Sequence, residues 1–440
     1  MSVDASQFVI NARWIIPVVP ARTCLQHHSI MVADGRIRDL LPTADAARKY
    51  GGLPSVDLAD HIVIPGLINA HGHAAMALLR GYADDKELMD WLENHMWPAE
   101  ARFVSEEFVR DGTELAIAEM IRSGTTFHAD SYWFPNVTSR TYAENGFRAQ
   151  ICMPLIQFPN AWAQTEQEHV DKARALHHAL EDEPLLRTAI APHAPYTVTD
   201  EGFRLAKSLS DDRGMPVHLH LHETATECED AIRDHGQRPF ERIDGLGLLG
   251  SSMQTVHMTQ LNDDEIKRLA ATGTHVVHCP ESNLKLASGF CPVKQLVDAG
   301  VNVCIGTDSA ASNNNLDMLE EMRTAALLAK GVSRDPTTVD ADTALAMATI
   351  NAARMLGLEA DIGSLEVGKC ADITAVNMSD IALQPIHNPL SQLVYTAAGV
   401  EVSDVWINGR QLLDSGKLTR LNEGDLRARI HEWERRMARD

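Results

Sequence analysis

Positive charge is scarce in this sequence. It holds 39 lysines and arginines against 61 aspartates and glutamates, which gives a formal net charge of −22. A protein that binds nucleic acid or an anionic membrane surface needs clustered positive charge to meet the phosphates. The charge balance therefore argues against both as the main partner, and it is typical of an acidic soluble enzyme.

Disulfide spacing and long apolar runs are also absent. The seven cysteines are odd in number and contain no Cys-x-x-Cys pair, so they indicate reduced thiols. No apolar stretch reaches membrane-spanning length, and the first residues do not combine a basic segment with a long apolar run. These absences predict a cytoplasmic protein without a membrane partner.

No Gly-x-Gly-x-x-Gly motif follows a strand and opens a helix, which leaves a dinucleotide-binding doubly wound sheet without support. Short apolar runs instead alternate with amphipathic segments across about 300 residues, and eight such alternations predict a (β/α)8 barrel, also called a TIM barrel. The eight runs are Ile62–His71, Thr125–Asp130, Arg148–Ile156, Leu185–His193, Met215–His222, Met253–His257, Thr274–His278 and Val301–Asp308.

Both ends of the chain have the pattern of short strands, with tight-turn signals at Asp34-Gly35 and Asn408-Gly409. We expect the two ends to form one small β-sandwich-like domain from residues 1–61 and 361–440. Residues 62–360 would then be the barrel domain. A charged helix is predicted from Glu423 to Arg439.

Histidines and carboxylates recur at one end of the predicted barrel strands, and in such barrels the active site lies at the carboxyl ends of the strands. A single buried histidine is as often a packed core residue as a ligand. Recurrence at the ends of six strands is difficult to explain by packing. The motifs are His71-Gly-His73, His193, His218-Leu-His220-Leu-His222-Glu223, His257, His278 and Asp308.

Imidazoles combined with one carboxylate suit Zn²⁺ or another borderline divalent ion. His71, His73, Asp308 and one histidine of the fifth strand are the candidate ligands. His218, His220 and His222 alternate onto one face of that strand, so spacing does not choose among them. No lysine lies near the end of the fourth strand to bridge two metals, which favours one ion.

These motifs resemble those of the amidohydrolase superfamily, and specifically its metal-dependent deaminases. The branch that they resemble most is that of the 5'-methylthioadenosine/S-adenosylhomocysteine deaminases, next to the triazine and guanine hydrolases (TRZ/ATZ-like). The resemblance covers nearly the whole chain. It is carried by Pro65-Gly-Leu-Ile-Asn-Ala-His-Gly-His73, His220-x-x-Glu223, Val256-His257, His278-Cys-Pro-Glu-Ser-Asn283, Gly306-Thr-Asp-Ser-Ala-Ala-Ser-Asn-Asn314 and Gly363-Ser-Leu-Glu-Val-Gly-Lys-x-Ala-Asp372.

The resemblance implies a metal site and a catalytic set. His71, His73, His220 and Asp308 would hold one Zn²⁺ per chain, with Fe²⁺ or Mn²⁺ as other options. Glu223 would give a proton to the substrate ring, His257 would orient or deprotonate the attacking water, and Asp308 would accept a proton from it. His218 and His222 then become packing residues or hydrogen-bond partners behind the ligands.

The resemblance also implies a nucleoside substrate, with water as the second reactant. Glu100 would hold the ribose hydroxyls, His193 would contact the base or sugar, and Glu223 and Asp308 would also touch the substrate. Further candidate site residues are Trp97, Met153, His278, Ser282 and Asn283.

One departure from the family pattern bears on the substrate. Members that accept adenosylhomocysteine have arginines just after the third strand, suited to its carboxylate. Here Met153 occupies the first such position, and no arginine occurs in residues 149–173. This favours 5'-methylthioadenosine or adenosine, and leaves S-adenosylhomocysteine as a weaker option.

Three alternatives stay open at this point. A guanine or aminotriazine hydrolase would use the same metal site. A cyclic amidase would need a bridging modified lysine, for which no candidate is evident. A non-catalytic binding homologue would be expected to have lost metal ligands, which are all present. A homo-oligomer is compatible with each reading.

Overall fold

The computed structural model describes residues 6–438. Within this range the strands are β1 (Gln7–Ile15), β2 (Leu25–Ala33), β3 (Arg36–Pro42), β4 (Ser55–Pro65), β5 (Leu67–Gly72), β6 (Thr125–Ser131), β7 (Arg148–Leu155), β8 (Leu186–Pro192), β9 (Val217–Leu221), β10 (Met253–His257), β11 (His275–His278), β12 (Val303–Ile305), β13 (Ile373–Asn377), β14 (Val402–Ile407), β15 (Arg410–Asp414) and β16 (Lys417–Leu418).

The α-helices in the same range are α1 (Thr43–Tyr50), α2 (Leu88–Trp91), α3 (Trp97–Phe103), α4 (Glu106–Arg122), α5 (Pro135–Asn145), α6 (Glu166–Ala179), α7 (Asp200–Arg213), α8 (Ala225–His235), α9 (Pro239–Gly245), α10 (Asp263–Thr272), α11 (Pro280–Lys285), α12 (Val293–Asp298), α13 (Ala310–Asn313), α14 (Met318–Ser333), α15 (Ala341–Met347), α16 (Ile350–Met355), α17 (Pro389–Tyr395) and α18 (Glu423–Ala438). Short 3-10 turns occur at Ala74–Leu79, Ile381–Leu383 and Gly399–Glu401, and a π-helical turn occurs at Leu92–Met96.

Strands β5 to β12 form the predicted barrel. They follow one another in sequence order across one sheet, and the strand pairs are parallel. An isolated parallel bridge between Gly72 and Asp308 links the first strand to the segment after the last strand. The eight-stranded, nearly closed barrel expected from the alternation of strands and helices is therefore confirmed.

Both ends of the chain contribute to a second sheet, as predicted. Its strand order is β16-β15-β14-β13-β4-β1-β2-β3, and the two halves join where β13 pairs antiparallel with β4. Apolar side chains at alternate positions, such as Phe8 and Ile10, are buried in its core. The Phe8 ring stacks on Trp406 from the C-terminal half, with ring centroids 6.4 Å apart. The core of this sheet thus depends on both ends of the sequence.

The prediction of the first barrel strand is wrong for the first half of that strand. The run Ile62–His71 is divided between two strands, because Ile62 to Pro65 end β4 and pair with β13. The break falls at Gly66, where an added Cβ would lie 2.1 Å from the Thr126 hydroxyl oxygen. A continuous apolar run therefore supplies the last residues of one sheet and the first strand of the other.

Local signals set the ends of the barrel helices. The Thr199 hydroxyl accepts a hydrogen bond from the Gly202 amide at the start of α7. Gly214 ends that helix in the left-handed conformation, with φ of 66°. Phe203 and Leu209 lie on the buried face between them. The terminal helix predicted for Glu423–Arg439 is observed as Glu423–Ala438, and Arg439 lies outside the described residues.

By contacts the described residues fall into two compact units. The first holds the residues up to Asn69 together with Ala118–Phe127 and Asp317–Asp425, and the second holds Ala70–Ile117, His128–Leu316 and the residues from Leu426 onward. The division into domains at 61/62 and 360/361 stays a prediction. No helix within residues 6–438 is long and apolar enough to cross a membrane.

Candidate active site

Four side chains converge at the carboxyl end of the barrel. One potential ligand atom from each of His71, His73, His220 and Asp308 lies within 4.8 Å of the others. The Nε2 atoms of His71 and His220 are 3.2 Å apart, and Oδ1 of Asp308 lies 3.2 Å from Nε2 of His73. Among the described residues, these four side chains form the group that could hold a metal ion, and we call them the metal group.

The protonation states of His71, His220 and Asp308 suit a divalent cation. Burial lowers the pKa of His71 and of His220 well below the usual value, which favours the neutral imidazoles that bind metals. Burial by itself would raise the pKa of Asp308, but hydrogen bonds with His71 and His73 hold it well below the ordinary value. Three imidazoles and one carboxylate form a donor set that fits zinc.

The hydrogen bonds of His73 and His220 fix which ring nitrogen faces the centre. Nδ1 of His220 donates to the His193 carbonyl oxygen at 2.6 Å, and Nδ1 of His73 donates to the Ser131 carbonyl oxygen. Because a carbonyl oxygen can only accept, each Nδ1 must carry the hydrogen. Each Nε2 therefore presents its lone pair to the other potential ligands.

His218 and His220 of β9, and His222 directly after it, have different surroundings. His220 joins the metal group, whereas Nε2 of His218 faces Nδ1 of His71 at 2.8 Å. Nε2 of His222 accepts a hydrogen bond from the Phe240 amide at 3.1 Å. The choice that spacing left open is thus made by the different partners that each ring meets.

Glycines allow the strands that hold these ligands to approach closely. A Cβ on Gly72 would lie 2.4 Å from Nε2 of the buried His128, and one on Gly306 would lie 2.7 Å from the His71 amide nitrogen. The Asp308 amide donates to the His71 carbonyl oxygen at 3.1 Å. The glycines of His71-Gly-His73 and Gly306-Thr-Asp308 therefore set the distance between the ligands.

Two further titratable groups lie beside the metal group. Oε2 of Glu223 is 3.8 Å from Nε2 of His257, and both side chains are almost fully buried. Burial raises the pKa of Glu223, which helps this carboxyl to hold a proton. Nδ1 of His257 donates to Oδ1 of Asn283 at 2.8 Å, which leaves Nε2 free to accept a proton.

Ser282 and Asn283 of the predicted set act from behind these groups. The Ser282 hydroxyl donates to Oδ2 of Asp308 at 2.6 Å, and Asn283 contacts His257. His278 is buried and is not part of the cavity wall. Ser282 and Asn283 therefore orient the side chains of Asp308 and His257.

His73, His220 and Asp308 line a cavity at this end of the barrel. Glu100, His193 and the further candidate Trp97 line it, and their contacts with substrate stay a prediction. Burial raises the pKa of Glu100, and it lowers that of His193 to about 4, so this imidazole is neutral near pH 7. The cavity wall also includes Glu223, His257, Trp91, Tyr132, Trp133, Pro154, Ile156 and Tyr196.

Met153 does not line the cavity. Side chains alternate between the two faces of a strand, and Pro154 and Ile156 are the cavity residues of β7 and the position that follows it. Met153 is fully buried and lies on the opposite face of the strand from Pro154 and Ile156. Tyr132 and Trp133 were not predicted, although their place directly after β6 is a signal that could have found them.

Comparisons with known proteins agree on one family. The Amidohydrolase family profile matches residues 62–412. A protein of Teredinibacter turnerae named 5-methylthioadenosine/S-adenosylhomocysteine deaminase is 46% identical over 430 residues, covering 98% of this chain and 97% of that protein.

Solved structures share the fold of this chain. A zinc-bound adenosine deaminase from Xanthomonas campestris superposes with a TM-score of 0.96 at 48% identity, covering 98% of this chain and 99% of that one. An atrazine chlorohydrolase from Arthrobacter aurescens, in complex with zinc, gives a TM-score of 0.88 at 21% identity, covering 97% and 99%. At that identity the likeness concerns the fold alone.

Gly72→Ala tests the close approach on which the ligand geometry depends. The new methyl group would overlap the His128 ring, so we expect the free energy of unfolding to fall by about 1–3 kcal/mol and Zn²⁺ to bind more weakly. Gly331→Ala in α14 is the control, since nothing lies within 4 Å of its added Cβ and a helical alanine should stabilise. Denaturant unfolding and zinc titration measure both effects. Unchanged values for Gly72→Ala would contradict this role.

Proposed function

The chain belongs to the amidohydrolase family, and we propose that it is a zinc-dependent deaminase of an adenosine-type nucleoside. The products would be the inosine analogue and ammonia. The observation that carries this proposal is the pairing of the His-His-His-Asp group with a buried carboxyl, Glu223, that is not one of the four. A non-ligand glutamate beside the metal is the acid/base group of zinc deaminases.

The proposed chemistry divides between the ion and the side chains. A zinc ion held by His71, His73, His220 and Asp308 would supply Lewis acidity, which activates water near neutral pH. The side chains of the cavity would move the protons.

Glu223 would donate its proton to the ring nitrogen next to the amino-bearing carbon, which makes that carbon more electrophilic. Its raised pKa supports this role. His257, with Nε2 free, would accept a proton as the water oxygen bonds to the carbon. Returning that proton to the amino group, while the new hydroxyl gives its proton to the Glu223 carboxylate, would let the carbon–nitrogen bond break, the carbonyl form and ammonia leave.

An outer groove supports a substrate with a small or apolar 5' group. It shares Trp97, Glu100, Trp133 and Ile156 with the cavity beside the metal group. Phe158, Pro159 and Ala161 extend it, and its lining contains no arginine or lysine among the described residues. These wall residues, and not Met153, therefore disfavour a charged 5' tail.

We therefore propose 5'-methylthioadenosine as the preferred substrate, ahead of adenosine and S-adenosylhomocysteine. The names of the Teredinibacter and Xanthomonas proteins support an adenosine-type ring over guanine or an aminotriazine. A cyclic amidase and a non-catalytic homologue have less support, because the acid/base glutamate accompanies a complete ligand set. We also propose a cytoplasmic location, with substrate and water as the partners.

A substrate panel tests the ring and the 5' group together. Ammonia release should be measured with 5'-methylthioadenosine, adenosine, S-adenosylhomocysteine, guanine and an aminotriazine at matched concentrations. We expect kcat/KM for methylthioadenosine to exceed that for adenosylhomocysteine about tenfold or more. A carboxylate without a cationic partner loses hydrogen bonds worth about 1.5–3 kcal/mol. Preference for adenosylhomocysteine would refute the 5' assignment, and preference for guanine or the triazine would refute the adenosine-type ring.

Glu223→Gln tests the acid/base role. The amide cannot donate a carboxyl proton, so turnover should fall by at least about 100-fold while the zinc content stays unchanged. Glu229→Gln, the same substitution at an exposed position in α8, should retain wild-type turnover. Wild-type activity in Glu223→Gln would show that another group provides the proton.

Metal content tests the single-ion proposal. Elemental analysis of the purified protein should give about one divalent ion per chain, because one group of four ligands converges in the described part of the barrel. Chelation should remove activity, and added Zn²⁺ should restore it. Two tightly held ions per chain would contradict the proposal, as would full activity after complete removal of metal.

A further inference from the structure

A chain of buried hydrogen bonds lies behind one member of the metal group. Nδ1 of His71 faces Nε2 of His218 at 2.8 Å, and Nδ1 of His218 faces Oε1 of Gln254 at 2.9 Å. Gln150 donates to the same Gln254 oxygen at 2.7 Å, and Gln254 donates back to Oε1 of Gln150 at 3.3 Å. All four side chains are at most 1% exposed.

These residues come from four different barrel strands, β5, β9, β10 and β7. The interior of such a barrel is usually filled by branched apolar side chains. Polar groups in this position cost free energy unless each donor meets an acceptor. The two glutamines and His218 meet much of this demand through one another, and Gln150 also donates to Sγ of Cys152 at 3.3 Å.

The direction of the hydrogen bonds follows from the amide oxygen of Gln254. This oxygen faces His218, and the two bonds with Gln150 hold the Gln254 amide in that orientation. An amide oxygen can only accept, so the hydrogen of neutral His218 must lie on Nδ1, and its Nε2 must be the acceptor. His71 must then carry its own hydrogen on Nδ1. This leaves the lone pair of His71 on Nε2, facing the centre of the metal group.

His71 differs in this respect from the other two imidazoles of the group. Nδ1 of His73 and Nδ1 of His220 donate to backbone carbonyl oxygens, which are present whatever the neighbouring side chains are. Nδ1 of His71 instead faces a side chain whose own tautomer has to be set. The state of His71 therefore depends on residues that are distant in the sequence.

We propose that His218 and Gln254, paired with Gln150, are positioning residues that hold His71 in its metal-binding tautomer. Partners behind a ligand histidine commonly change metal affinity by about 10–100-fold when they are removed. This inference rests on the metal-binding role proposed above and is independent of the substrate.

Zinc affinity of Gln254 variants tests the inference. Metal-free protein is titrated with Zn²⁺ against a competing chelator, and the unfolding temperature of the metal-free form is recorded alongside. Gln254→Met removes the acceptor, so the zinc dissociation constant should rise about 10–100-fold. Gln254→Glu keeps an oxygen facing His218 and should stay within about threefold of wild type.

Gln411→Met is the matched control. Gln411 is also buried and donates to Oδ1 of Asp404 at 2.9 Å, but it lies in β15 of the other sheet. Its loss should lower the unfolding temperature without changing zinc affinity. If Gln254→Met behaved in the same way, its role would be structural and the inference would be overturned. If wild-type protein itself failed to bind Zn²⁺, the metal role would fail instead.

A second measurement requires no substitution in the barrel. Two-bond ¹H–¹⁵N spectra of zinc-loaded protein with ¹⁵N-labelled histidine report which ring nitrogen carries the hydrogen. We expect Nδ1–H on both His71 and His218. A hydrogen on Nε2 of His218 would overturn the inference even if Gln254→Met did not fold.

Discussion

The structure depends on the mutual approach of buried ligand lone pairs. Two imidazole nitrogens, Nε2 of His71 and Nε2 of His220, lie 3.2 Å apart, with the Asp308 carboxylate beside them. Lone pairs at this distance repel one another, and burial removes the water that would otherwise screen them. A divalent cation held by these side chains would convert this repulsion into coordination. The surrounding backbone must hold these side chains close together, which places demands on its conformation.

The backbone meets those demands at the ends of the strands. His257 and Asp308 both have positive φ, 74° and 60°, which non-glycine residues seldom adopt. The Asp308 amide bonds to the His71 carbonyl oxygen, and the Met258 amide bonds to that of Leu221, so neighbouring strands stabilise both turns. Such conformations cluster at functional sites because the surrounding structure can offset about 1–3 kcal/mol for each. The turns aim the two side chains into the cavity.

Residues other than the metal group would set the substrate specificity. In the proposed mechanism the metal group and Glu223 would act on any suitable amino-substituted ring, and the fold is shared with an atrazine chlorohydrolase. The walls that would distinguish nucleosides are apolar residues such as Trp133 and Ile156, which follow β6 and β7. Apolar loop residues carry no chemical signature in a sequence, unlike the histidines below them.

The sequence by itself determined the barrel and most of the metal group. The carboxyl ends of parallel strands meet at one end of a barrel, so His71, His73 and Asp308 could be brought together from strand order alone. Strand periodicity could not choose among His218, His220 and His222, and the family resemblance was needed to select His220.

Only the tertiary structure divided the run at Gly66 between two sheets and turned Met153 away from the cavity. It also joined His218 to Gln254 and Gln150. These outcomes depend on strand register and on contacts between residues far apart in the sequence, such as Pro65 and Ile373, which local sequence patterns do not encode.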